Sequence, residues 1–213
     1  MHSIVYADPP WSYDNKNTGG SMTSGSANKY PTMSLLEICS LAHYIRPIVC
    51  DDSVLFLWVP EPIEEYAWTV MDVWGYKRKG RITWIKRYPG NRRGMGFWFS
   101  TETEGLHFGI RGEVKPFRSM IPNYLVLPVL GHSEKPAEFR GLIERASAKT
   151  MPGVNKLELF GRKSIEGWTV LGNAVDGLDI RESLTRTQSG IVLPEPIQIK
   201  EDSLDTKLDR WFK

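Results

Sequence analysis

The chain has 213 residues, 41% of them apolar, with eight each of Trp, Tyr and Phe, a composition that fits a folded globular protein and excludes an intrinsically disordered one. Its net charge of +2 is too small to announce a nucleic-acid partner, so any such signal has to be local. The longest apolar run, SVLFLWVP at 53–60, is far too short to span a bilayer, and no charged segment with an apolar core opens the chain, so a soluble cytoplasmic protein is expected.

The first element, SIVYA at 3–7, reads as a strand that runs into Asp8-Pro9-Pro10-Trp11. Proline lacks an N–H and fixes its own φ, so two in succession end ladder pairing and hold the chain stiff. The following stretch is Gly, Ser, Asn and Thr almost throughout and predicts a mobile loop over 12–30, starting where open α/β sheets bind ligands. A helix is expected over 34–45, with Ser34 and Glu37 as a capping box, then a strand over 53–59 and a helix over 61–74. Strands over 80–86 and 105–111 follow, then a helix over 135–148 with Pro136 in its first turn, and strands over 155–161 and 168–173. Strands alternating with helices predict an α/β fold with a mostly parallel sheet and helices on both faces. The two cysteines, Cys39 and Cys50, and the scattered histidines show no metal-ligand spacing, so free thiols and no metal site are expected.

Residues 75–100 carry Lys77, Arg78, Lys79, Arg81, Lys86, Arg87, Arg92 and Arg93 and no acid, interleaved with Tyr76, Trp84, Tyr88, Phe97, Trp98 and Phe99. Charge runs are usually solvated faces. Cations interleaved with aromatic rings, however, suit phosphate contact and base stacking, and Lys86, Arg87, Arg92 and Arg93 are the candidate nucleic-acid contacts.

The Asp8-Trp11 turn has a chemical reading as well. The exocyclic amine of adenine is a poor nucleophile because its lone pair is delocalised into the ring. Acceptors aimed at its N–H groups pull it toward tetrahedral geometry; Asp8 offers a carboxylate, Pro9 a carbonyl, and the prolines keep both rigid. Trp11 offers a flat face for an unstacked base.

Taken together, ADPPW (7–11), YPTMSLLEI (30–38), DDSVLFLWV (51–59), VWGYKRKGRITWIK (73–86), GHSEKPAEF (131–139), GLIERAS (141–147) and KLELFGRKSIEGWTVLGNAVDG (156–177) resemble the DPPW-motif adenine-N6 methyltransferase family. Its best-known members methylate adenosine in eukaryotic messenger RNA, and its bacterial and phage relatives are thought to act on DNA. The resemblance implies a Rossmann-like fold of permuted motif order and S-adenosyl-L-methionine as methyl donor. It places Asp8, Pro9, Pro10, Trp11 and Tyr30 at the reacting base. Lys135 would hold the donor's carboxylate, Asp8 its amino group, and Arg162, Ser164, Asn173 and Ala174 its ribose and adenine, with Ala7 and Phe160 beside them. Family members often carry a histidine and an asparagine after FGR, where this chain has Ser164 and Ile165.

The expected activity is therefore methyl transfer to adenine N6 in nucleic acid, DNA before RNA since accessory RNA-binding zinc modules are absent. The rival is a non-catalytic nucleic-acid-binding subunit; a dinucleotide oxidoreductase is disfavoured by the lack of G-x-G-x-x-G after a strand. The methyltransferase domain is expected over 1–177. An extension over 178–213 would carry a terminal helix with Leu204, Leu208, Trp211 and Phe212 on one face, docked on the protein's own core or joining two copies as a homodimer.

Overall fold

The computed structural model describes residues 1–12, 32–90, 93–94, 98–131 and 134–188. Among them, seven strands form one sheet: β1 (His2–Ala7), β2 (Val49–Val59), β3 (Lys77–Arg87), β4 (Thr103–Arg111), β5 (Tyr124–Pro128), β6 (Lys156–Leu159) and β7 (Thr169–Leu171), in the order β5-β3-β4-β2-β1-β6-β7. β1 pairs in parallel with β2 and β6, β6 with β7, and β3 with β5, while β4 is antiparallel to both β2 and β3. Only β4 therefore runs against the rest. Its first residues lie at the edge where the other six strands end.

The central strands are apolar on consecutive residues because both faces are covered. Val5, Ala7, Leu55, Leu57, Val59, Leu157 and Leu159 face α1 (Leu35–Ser40), α2 (Ala42–Ile45), α3 (Tyr66–Trp74) and α6 (Ile180–Thr187), packing with Ile38, Ile45, Val70, Trp74 and Leu184. Ile4, Tyr6, Val54, Phe56 and Trp58 pack on the other side with Phe139, Leu142 and Ile143 of α4 (Glu138–Ser147). The expected α/β sheet with helices on both faces is what forms.

Local signals explain most boundaries. Ser34 caps α1 in a reciprocal box, its N–H 2.8 Å from Glu37 Oε2 and its Oγ accepting from the Glu37 N–H at 3.3 Å. The helix expected over 34–45 breaks at Leu41 into α1 and α2, and the one expected from 61 opens with a single 3-10 turn, becoming α-helical only at Tyr66. Lys135 and Pro136 precede α4 rather than start it, and the strand expected over 155–161 stops at Leu159.

Three elements have weak sequence signals. β5 is an edge strand that ends on Pro128, a position where a missing N–H costs no ladder bond. α5 (Asn173–Asp176) is one short turn after β7. α6 shows only Ile180 and Leu184 as an apolar pair four residues apart, yet both are buried, Asp179 caps it, and the Gln188 side-chain amide donates to the Tyr44 carbonyl. The core thus continues past Gly177, where the sequence placed the end of the domain. The terminal helix and the loop over 13–31 lie outside the described residues.

Candidate active site

β1 delivers Asp8 to the carboxyl edge of the sheet, where its N–H still reaches the Leu159 carbonyl of β6 at 3.4 Å. The prolines then turn the chain. The Pro9 carbonyl accepts from the Trp11 N–H at 2.9 Å, the Pro10 carbonyl from the Met33 N–H at 2.7 Å, and the Met33 carbonyl from the Ser12 N–H at 2.8 Å. The acidic turn is thereby stitched to the segment that leads into α1, and its geometry is set before any ligand arrives.

Because β4 is reversed, Glu104 at its start reaches the same edge, opposite Trp84 of β3. A chain of alternating charges results. Lys135 Nζ lies 3.1 Å from Asp8 Oδ1 and 3.0 Å from Glu104 Oε1, and Glu104 Oε2 lies 3.0 Å from Lys86 Nζ. The Lys135 and Glu104 side chains are only 9% and 12% exposed, so these charges are compensated by one another rather than by water. Burial alone would lower the Lys135 ammonium, but Asp8 and Glu104 together hold it well above the usual lysine range. Burial likewise works against the Glu104 carboxylate, yet Lys135 and Lys86 prevail and hold it below the usual range. Asp8 goes the other way: burial, aided by the Glu104 charge, raises it despite Lys135 and Arg162. Sequence reasoning does not single out Glu104. Its only signal is an acid flanking the strand that follows the basic segment, and the reversal of β4 gives that acid its place.

Asp8 and Lys135 open into a cleft of about 270 Å3 whose other wall includes Phe160, Gly161 and Arg162. Phe160 sits at φ 64, the left-handed region that bulky residues rarely adopt. A Cβ on Gly161 would stand 2.2 Å from Val170 Cγ1, and one on Gly172 would stand 2.4 Å from the Gly161 carbonyl oxygen. Only glycines let the turns after β6 and β7 press together this way. Arg162 and Ser164 are exposed on the first turn, and Asn173 and Ala174 on the second. Deeper in the cleft, Arg140 Nη1 lies 3.2 Å from both Glu158 oxygens, and the Tyr6 hydroxyl accepts from Trp58 Nε1 at 2.7 Å. A larger cleft of about 430 Å3 opens at the opposite end of β3 and β4, beside Lys77, Lys79 and Glu113, away from Asp8.

Several expectations are corrected. Trp11 is not an open stacking face: it is 4% exposed, packs near Tyr66 and donates Nε1–H to the Trp58 carbonyl at 2.9 Å. An indole so held stiffens the turn that carries Asp8. Lys86 is engaged by Glu104 rather than turned to a phosphate. The segment 75–100 lacks acids of its own, but the fold brings Glu64 to Arg81 at 2.6 Å and Glu102 to Arg93 at 3.3 Å, and it buries Tyr76 and Trp84. Arg87, Trp98 and Phe99 remain exposed. Tyr30 and Arg92 lie outside the described residues. Among the described residues no helix is long and apolar enough to cross a membrane.

A family model described as MT-A70 matches residues 2–174. The chain is similar to the N(6)-adenosine-methyltransferase subunit METTL3 of Danio rerio, 33% identical over 185 residues, and to the catalytic subunit METTL3 of Homo sapiens, 32% identical over 185 residues. Each match covers 84% of this chain but only 29% of the relative. It is also similar to the Type II methyltransferase M.MunI of Mycoplasma sp, 28% identical over 185 residues, covering 78% of this chain and 75% of that protein. The chain belongs to the MT-A70 family and has its S-adenosylmethionine-dependent methyltransferase fold.

Proposed function

We propose that the protein transfers a methyl group from S-adenosylmethionine to the exocyclic N6 amine of adenine in nucleic acid. The observation that carries this reading is Asp8, held rigidly by two prolines at the mouth of a cleft, with Lys135 3.1 Å away.

The cleft's chemistry fits the donor. An amino-acid group brings one ammonium and one carboxylate, and the wall offers the carboxylate of Asp8 beside the cations Lys135 and Arg162. Bound there, the donor supplies a methyl made electrophilic by its sulfonium charge. Lys135 and Arg162 meet its carboxylate end, with Asp8 at its amino group. Phe160, Ser164, Asn173 and Ala174, on the two turns after β6 and β7, line the rest, with Ala7 behind Asp8.

At the reacting base, Asp8 accepts a hydrogen bond from the amine and draws the nitrogen lone pair out of the ring. One lone pair of the Pro9 carbonyl is used by the Trp11 N–H, which leaves the other for the amine. Walls of buried side chains exclude water, so the protein's own contribution is positioning and desolvation.

DNA is the first substrate to test. RNA is the second reading, favoured by the adenosine in the names of the METTL3 relatives. For partners, pairing with a second copy or a related subunit follows the name of the Danio rerio relative, and light scattering of the full chain tests it.

The decisive experiment incubates the full chain with isotope-labelled S-adenosylmethionine and adenine-containing DNA or RNA in separate tubes, then analyses nucleosides by mass spectrometry. Label is expected on N6-methyladenine and is expected to fall at least ~10²-fold in Asp8→Asn. Label on another base, or an Asp8→Asn variant that turns over like the parent, refutes the reading.

A further inference from the structure

Glu104 uses both of its oxygens. Oε1 is 3.0 Å from Lys135 Nζ, and Oε2 is 3.0 Å from Lys86 Nζ. Each lysine thus has its ammonium fixed by a carboxylate that itself has no freedom to rotate away. The anchors come from three elements: Lys86 from the end of β3, Glu104 from the start of β4, and Lys135 from the segment before α4. The Lys86 N–H also donates to the Glu102 carbonyl at 2.7 Å, which closes the base of the segment 87–102.

A lysine with one carboxylate partner would sit midway between the oxygens of Asp8 and cancel its charge. Here Lys135 is shared, and the second carboxylate lies behind it. The lysine is drawn back from Asp8, and the negative charge of Glu104 opposes the neutralisation of Asp8. The four groups sum to zero with Asp8 left as the most exposed member, 25% against 9% for Lys135 and 12% for Glu104.

We propose that Glu104 is a positioning residue of the transfer reaction: clamped by Lys86, it holds Lys135 so that the Asp8 carboxylate keeps its charge and direction for the substrate amine. This rests on the reading of Asp8 as the acceptor for that amine, and it makes the base of the basic segment part of the catalytic apparatus. A change that moves Lys86 would reach Asp8 through two ion pairs.

The test has an arm that needs no activity. In protein carrying 13C-labelled aspartate carboxyls, with Asp8 assigned through Asp8→Asn, the carboxyl is titrated in the parent and in Glu104→Gln. The charged and titratable groups that face Asp8 are Lys135, Glu104, Arg162 on the turn after β6, Glu158 of β6 and Tyr6 of β1. Glu104→Gln removes one negative charge from that set and leaves Lys135 to Asp8 alone. The Asp8 midpoint is expected to fall by about one pH unit. In the second arm, single-turnover transfer is expected to slow on the order of tenfold, with donor affinity by calorimetry within about threefold of the parent. Glu104→Asp keeps the charge. It is expected to hold the Asp8 midpoint near the parent value while slowing transfer, because the shorter side chain reaches one lysine, and it serves if the Gln variant fails to fold. An Asp8 midpoint that stays or rises in Glu104→Gln, or falls equally in Glu104→Asp, overturns the proposal. So does transfer by Glu104→Gln within twofold of an active parent. A parent that transfers no methyl refutes the underlying reading instead, and the titration still judges the role of Glu104.

Discussion

Lys135 and Asp8, from opposite halves of the chain, place Nζ and Oδ1 3.1 Å apart at the edge where β1 ends. The pair is coupled to Glu104 on the far side of the lysine, so the removal of the cation leaves two buried carboxylates facing each other.

Lys135→Met is expected to cost about 3 kcal/mol of stability at neutral pH, the scale for breaking a buried ion pair from one side. The sign with pH follows from the two acids. Without the cation both carboxyls titrate above their unfolded values. Their contribution is then present below the unfolded pKa and lost as pH rises through the folded one. The gap between variant and parent therefore shrinks toward about pH 4. Urea unfolding at the two pH values checks it, and a gap that widens on acidification sinks the argument.

Trp11 behaves as a core residue. Trp11→Ala is expected to destabilise by about 3–5 kcal/mol through the cavity left beside Tyr66, and Trp11→Phe by about 1–3 kcal/mol because the Trp58 carbonyl loses its donor. An exposed stacking ring would give neither loss. Thermal unfolding of the two variants separates the cases.

His107 lies inside the sheet with no side-chain exposure, its Nε2 3.3 Å from Glu64 Oε1. Burial outweighs the pull of Glu64, and with Arg78 and Arg81 nearby it lowers the imidazole from 6.5 to about 4. A depressed histidine contributes stability that is present above the unfolded pKa and lost as pH falls toward the folded one. Between pH 7 and pH 5 the parent is expected to lose about 2 kcal/mol from this source. Chemical unfolding of His107→Leu is expected to show a flatter acid limb, and an unchanged limb assigns the loss elsewhere.

Arg87 and Arg93 are the described arginines of the candidate nucleic-acid contacts, both exposed. Replacing each by Ala is expected to reduce the log-log salt slope of nucleic-acid binding by about 0.7 to 0.9 for every phosphate that is no longer neutralised, with donor affinity kept. Fluorescence anisotropy across a salt series reads the slope. A slope that does not change makes these residues an ordinary solvated face.

The sequence by itself determined the alternation of strands and helices, the end of β1 at Asp8-Pro9, the capping box at Ser34 and the glycine turn after β6. Each depends on residues adjacent in the chain, through φ, missing donors or local hydrogen bonds. The motif resemblance also singled out Lys135 and Arg162. Tertiary structure decided the rest. Whether Trp11 is a platform or a strut depends on Trp58 and Tyr66, which pack from β2 and α3. Whether Lys86 is free for a phosphate depends on Glu104, and that depends on β4 running against its neighbours. Strand direction and long-range charge pairing are properties of the assembled sheet, to which a linear pattern of residue types is blind. The same holds for α6: two apolar residues in a polar stretch become core only because α2 and β7 leave a place for them.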